Sequence, residues 1–150
     1  MVIAEENLTR ELMVEIVPLL QKHKESLPSY GDEPININWK VYQILADGGL
    51  LKIYTVRDES KILVGYAVFV LTPNMRHQHM IQAQQDVLYL AKSAREGNLG
   101  YRLLKFAAGK LEDAGASVVL FSVNASYDYS TLLSRLGCTP LERTFIKKFR

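Results

Sequence analysis

Cysteine is almost missing from this chain, with Cys138 the single example. No internal disulfide can form, which fits a reducing compartment. Long apolar runs are missing too. The stretch Ile62 to Leu71 is far too short to cross a bilayer as a helix. The first residues lack a basic region followed by an unbroken apolar core, so no signal peptide is expected. Charge of one sign is equally scarce, 18 Lys and Arg against 16 Asp and Glu, a net +2. That excess is too small to argue for nucleic acid or an anionic membrane as partner. The basic residues near the end, Arg143, Lys147, Lys148 and Arg150, read as a solvated strand face. The expectation is a cytoplasmic protein without nucleic-acid or membrane partners.

What is present is ordinary globular material. With 48% hydrophobic and 23% charged residues, disordered and fibrous classes are excluded. A length of 150 residues suits one domain, 1–150, with one core. No repeat or low-complexity segment interrupts it.

A short strand is predicted at Val2 to Ala4. A helix follows from about Leu8 to Lys24, with Leu12, Ile16, Leu19 and Leu20 on one face and a kink or restart at Pro18. Ser26 to Pro34, with Pro28, Gly31 and Pro34, reads as a loop. A second helix, Asn38 to Ala46, is ended by Gly48-Gly49. Strands are predicted at Leu50 to Val56, Ile62 to Leu71 and about His79 to Ala91. Polar turns at Arg57 to Ser60 and Pro73-Asn74 separate them. A strong amphipathic helix, Tyr101 to about Ala114, leads to a wholly apolar strand, Ser117 to Val123. A short helix near Asp128 to Leu136 and a last strand, Leu141 to Phe149, complete the chain. The meander implies antiparallel pairing and the crossover helix one parallel pair. The fold class is therefore α+β, a mixed and mostly antiparallel sheet with helices on both faces.

Two places could carry chemistry. On the strand from His79, even positions place Gln82, Gln84 and Asp86 on one face, followed by Leu88 and Leu90. Buried dry, such side chains cost about 2 kcal/mol or more each. They suit the border of a wet cleft, or a solvated sheet face. The second place is Arg95-Glu96-Gly97-Asn98-Leu99-Gly100, between that strand and the amphipathic helix. A helix start leaves backbone N–H groups unpaired where the macrodipole adds positive charge, which suits phosphate oxygens. Arg95 can add a charge-assisted contact. The same residues would also serve as a plain helix-start turn, with Asn98 and Gly100 supplying permissive geometry.

In combination these features resemble the GCN5-related N-acetyltransferase superfamily, and within it the small acetyltransferase-like proteins of bacteriophages. The superfamily's Arg/Gln-x-x-Gly-x-Gly/Ala signature is met by Arg95 and Gly100, with Asn98 in place of its first glycine. Leu132-Leu133-Ser134-Arg135-Leu136-Gly137-Cys138 resembles its apolar-x-x-x-Leu-Gly-Phe ending, with Cys138 replacing phenylalanine. The resemblance implies acetyl-CoA in a V-shaped opening between the Asp86 strand and the Ser117–Val123 strand. Backbone groups of Leu88 and Leu90 would pair with its pantetheine arm. Amides of Glu96, Gly97, Asn98, Leu99, Gly100 and Tyr101 would hold the pyrophosphate, helped by Arg95 and Arg102. Asn124 would add a polar contact.

Direct transfer to an amine needs a base, and Asp86 is the only carboxylate on the polar strand face. Burial beside apolar neighbours would raise its pKa toward that use. A structural hydrogen-bond acceptor is the competing role for Asp86. His77 and His79 lie at the far end of the strand. The superfamily's usual acid, a tyrosine, is Leu133 here, so Tyr127 or Tyr129 would have to protonate the leaving thiolate, or solvent would. Trp39, Tyr42 and Tyr30 could wall the acceptor pocket or simply pack. The expected activity is acetyl-CoA-dependent N-acetyl transfer to an unidentified amine. The alternative is a CoA-binding protein of this fold without turnover, an interaction or inhibitory module on a host protein, in the host cytoplasm if phage-encoded. The final strand could also pair across a homodimer.

Overall fold

The computed structural model describes residues 1–26 and 33–149. Five strands form one sheet in the order β1-β2-β3-β4-β5. They are β1 Val2–Glu6, β2 Leu51–Arg57, β3 Leu63–Pro73, β4 Ile81–Leu90 and β5 Val118–Leu120. The first four pair antiparallel and β5 joins β4 in parallel. Tyr30, Pro28 and Gly31 of the expected loop, and Arg150 of the basic end, lie outside the described residues.

Four helices cover the two faces: α1 Arg10–Ser26, α2 Trp39–Asp47, α3 Leu99–Asp113 and α4 Ser130–Arg135. Thr9 begins α1 by accepting from the Leu12 amide at 3.1 Å, and Asn38 begins α2 by accepting from Val41 at 3.3 Å. On one face, Leu12 and Ile16 of α1 pack on Ile53, Leu63, Tyr66, Val68 and Tyr89, with Trp39 and Tyr42 of α2 against the same cluster. On the other, Leu103, Ala107 and Leu111 of α3 pack on Tyr54, Val56, Ala67 and Phe69. Strands β2 and β3 are thereby buried on both faces, as their continuous apolar runs imply.

An ion-pair cluster ties the N-terminal elements together. Arg57 of β2 donates to Glu6 of β1 and to Glu15 of α1, at 2.9 and 2.7 Å. Thr55 also donates to the Glu6 carboxylate.

Four expectations are corrected. Helix α1 continues through Pro18 and does not restart there. The carbonyl that loses its partner, that of Val14, belongs to an exposed residue where water can serve it. Strand β5 spans three residues, half-buried at most, because the ladder stops at the Gln84–Leu120 pair. The segment 141–149 forms no strand, and Leu141, Phe145 and Phe149 are exposed. With so short a β5 beside it, it has no ladder to extend.

The fourth correction concerns β4 itself. Val68 pairs with Val87 but Phe69 pairs with Gln85, so Asp86 is an extra residue, a β-bulge. The bulge shifts the alternation by one. Leu88 and Leu90 turn to the α3 side, while Val87 and Tyr89 turn to the α1 side. The even residues therefore do not share one face.

Candidate active site

The site grows from the point where β4 and β5 part. Past Leu120 the gap is bridged by a side chain, Gln85. Its Oε1 accepts from the Ser122 amide at 3.2 Å, and its Nε2 donates to the Ser122 carbonyl at 3.4 Å. The Tyr129 hydroxyl donates to that same carbonyl, with Gln85 Oε1 lying 3.2 Å from its oxygen. Among the described residues the β4–β5 ladder itself ends at the Gln84–Leu120 pair. Because the Ala91 amide donates to Val64 of β3, alternation points the main-chain groups of Leu88 and Leu90 toward the open edge.

The loop at the end of β4 follows. A single 3-10 turn, Lys92–Ala94, leads into exposed residues 95–98, with Gly97 at φ 67°. A positive φ is open to glycine at little cost. The first helical hydrogen bond of α3 runs from the Arg102 amide to the Asn98 carbonyl at 2.9 Å. The amides of Leu99, Gly100 and Tyr101 thus lie ahead of any intrahelical partner, and the Asn98 side chain caps none of them. Among the described residues no hydrogen bond from Glu96, Gly97 or Asn98 N–H is formed either. The amides from Glu96 to Tyr101 lie at the positive end of a 15-residue helix, with a hydrogen-bonded turn over Gly97 and Asn98 leading into it.

Other candidate residues take up different positions. Arg95 turns back to the strand: its Nε donates to the Leu90 carbonyl at 2.6 Å. Its guanidinium lies 5.6 Å from the Tyr89 ring and 5.5 Å from the Tyr127 ring. His23 stacks at 5.2 Å on the other ring neighbour, Tyr89, and burial, with the Arg95 charge, holds its imidazole below the ordinary histidine value. Asn124 accepts from the Ser126 amide at 2.8 Å, building the turn that carries Tyr127. Gly100 faces inward, since a Cβ there would sit 3.4 Å from Leu132 and 3.7 Å from Leu90.

Asp86 is exposed, so the burial expected for it is not found. It instead accepts a hydrogen bond from the Tyr42 hydroxyl of α2 at 2.5 Å. Burial, the hydrogen bond to Asp86 and its charge all push the Tyr42 phenol up. Leu133 is buried in the core. Tyr127 is half exposed, whereas the Tyr129 hydroxyl is committed to the Gln85 bridge and raised mainly by burial. Cys138 is part-buried, and burial pushes its thiol up, away from nucleophilic use. His77 and His79 are exposed at the β3–β4 turn. Gln85 and the bulge escaped the sequence reading, because nothing in strict alternation marks an inserted residue.

No family profile and no curated protein matches the sequence. Solved structures do match over the whole chain. Glucosamine-6-phosphate N-acetyltransferase from Arabidopsis thaliana superposes with a TM-score of 0.76 at 10% identity, covering 100% of both chains. Ribosomal-protein-alanine N-acetyltransferase from Brucella melitensis biovar Abortus 2308 gives 0.71 at 18% identity, over 99% of this chain and 100% of the other. An aminoglycoside acetyltransferase from an uncultured soil metagenomic sample gives 0.70 at 14%, over 99% and 95%. The chain has the fold of the GCN5-related N-acetyltransferases.

Proposed function

We propose that this protein is an N-acetyltransferase that moves an acetyl group from acetyl-CoA directly to an amine. The observation that carries the reading is the turn from Glu96 to Tyr101 at the positive end of α3, set beside the edge of β4 at Leu88 and Leu90. These groups fit a diphosphate, and Leu88 and Leu90 fit an extended amide-bearing arm laid along the strand. Acetyl-CoA would supply the activated acetyl thioester. Arg95 covers the Leu90 carbonyl, which keeps a second lone pair for such an arm. Asp86, at the bulge, is the carboxylate positioned to take the proton that the attacking amine releases as the C–N bond forms and the C–S bond breaks. Tyr127 is the exposed phenol on the opposite side of the opening, and water is the other proton source for the departing thiolate.

A second reading, a CoA-binding protein without turnover, is supported by one specific feature. Leu133 occupies the usual acid position, and the neighbouring Tyr129 hydroxyl is already committed.

Calorimetric unfolding with CoA tests the binding step. At one hundred times Kd the ligand adds about 2.7 kcal/mol. Gly97→Val, which forces a β-branched residue to φ 67°, should abolish that gain. An unchanged gain would remove the loop from the site. Asp86→Asn should keep the gain and lower thiol release from acetyl-CoA with amines; undiminished release would end its role as base. Gain without thiol release from any amine would establish the second reading.

A further inference from the structure

We propose that Gln85 is a positioning residue for the transfer: its side-chain amide seats the segment 122–129, and through it the Tyr127 phenol, at a set distance from β4. This rests on the acetyltransferase reading and names the residue that places its proton donor.

The β4–β5 ladder ends at the Gln84–Leu120 pair. Were it to continue, the main chain of Asp86 would face that of Ser122, but Asp86 is the bulge residue. The Gln85 side chain supplies both bonds instead. Its oxygen accepts from the Ser122 N–H, and its nitrogen donates to the Ser122 carbonyl. A primary amide carries an acceptor and a donor on one carbon, as a peptide unit does, so it can stand in for a rung of the ladder. The spacing from β4 is then set by the reach of that side chain.

The rest of the segment is fixed to the same point. The Tyr129 hydroxyl donates to the Ser122 carbonyl, and Gln85 Oε1 lies 3.2 Å from its oxygen. Between these anchors the chain makes a tight turn. The Tyr127 amide donates to the Asn124 carbonyl at 3.1 Å, and the Ser126 amide donates to the Asn124 side chain at 2.8 Å. Gln85 therefore meets both ends of the turn that carries Tyr127. From that turn the Tyr127 ring lies 5.5 Å from the Arg95 guanidinium, whose Nε donates to the Leu90 carbonyl. The phenol is thereby linked to the β4 residues assigned to the thioester arm.

The bridge is poorly placed to serve stability alone. Ser122 is exposed, so water would satisfy its amide and carbonyl if Gln85 were removed. Water cannot supply a fixed length, and small displacements of a reacting group are what a transfer step feels most.

The experiment measures thiol release from acetyl-CoA with butylamine, glucosamine 6-phosphate and a peptide beginning with alanine. It adds unfolding with and without CoA, and hydrogen exchange at the Ser122 amide. The proteins are the natural chain, Gln85→Met, Tyr127→Phe and the double variant. Gln85→Met keeps the length of the side chain and removes both bonds. It should abolish protection of the Ser122 amide and lower kcat about tenfold. KM for acetyl-CoA and the CoA-induced stabilisation should not change. Because Gln85 acts through Tyr127, Tyr127→Phe should lower kcat at least as far, and the double variant should lose nothing more. The same exchange at Gln82, whose side chain accepts from Asn74 at 3.0 Å near the start of β4, should alter none of these readings.

Full kcat in Gln85→Met would overturn the role and leave the acetyltransferase reading standing. So would losses that multiply in the double variant, or a raised KM with kcat intact. Retained Ser122 protection in Gln85→Met would show that something other than the bridge holds the segment, and would overturn it too. CoA stabilisation of the natural chain without thiol release would overturn both the inference and the enzyme reading. Absence of CoA stabilisation would overturn the cofactor site as well.

Discussion

The two sides of β4 show how differently similar residues can fare. Toward the N-terminus, Tyr54, Val56, Ala67 and Phe69 lie at 0% exposure between two helical layers. Toward the C-terminus, Val118-Val119-Leu120 make a three-residue strand, and Phe145 and Phe149 stand 79% and 86% exposed. Both sides are rich in β-branched and aromatic residues. The difference is cover. β2 and β3 have a paired neighbour on each edge and helices on each face, whereas β5 is paired on one edge for three residues only. Strand propensity expresses itself where packing completes it. The proposed site lies at this boundary, where a well-covered sheet gives way to one bridged by the Gln85 side chain.

The comparison is most severely tested in the covered half. Leu103→Ala, at a site with 0% exposure, should cost about 3 kcal/mol in urea unfolding. A loss below about 1 kcal/mol would show that the two halves are not so unlike. Next comes the seam. A Cβ at Gly65 would lie 2.3 Å from Leu90 Cδ2 and 2.9 Å from the Tyr89 carbonyl oxygen. Gly65→Ala should therefore cost about 2 kcal/mol and weaken CoA binding, because the strain falls on the open end of β4.

Acid sharpens the contrast further. The Arg57 hydrogen bond, with that of Thr55, holds the Glu6 carboxyl below its ordinary 4.5. A depressed carboxyl adds stability that is present above pH 4.5 and is lost as pH falls through its folded-state value. Glu6→Gln should flatten that acid limb by about 1 kcal/mol or less, given the partial exposure of the pair. An unaltered limb would mean that the cluster contributes nothing. Smallest of all, Phe149→Ser in the exposed tail should change stability by under about 0.5 kcal/mol, and a larger loss would reveal a partner for that segment.

Much of this architecture is legible in the residues. The α1 stripe of Leu12 and Ile16, the runs of β2 and β3 and the helix at Leu103 and Leu111 all announce their buried faces by spacing. The tail misleads, because Leu141, Phe145, Ile146 and Phe149 give it the composition of a strand that lacks an edge to join. The bulge at Asp86 is invisible, since an inserted residue alters facing without altering composition. So is the Gln85 bridge, which depends on two strands separating. The loop before α3 was conspicuous, but the inward turn of Gly100 and the return of Arg95 to Leu90 are set by tertiary neighbours.

The turn ahead of α3 presents main-chain hydrogens, and every amino acid except proline carries one. Of the residues in that turn, Leu99, which packs in the core, and Gly100, which faces Leu132 and Leu90, are held by neighbours, and the exposed ones at Glu96 and Asn98 can be exchanged so long as the bend at Gly97 survives. A contact made through such hydrogens imposes little on spelling, so one architecture can be reached by chains that share 10% to 18% of their residues.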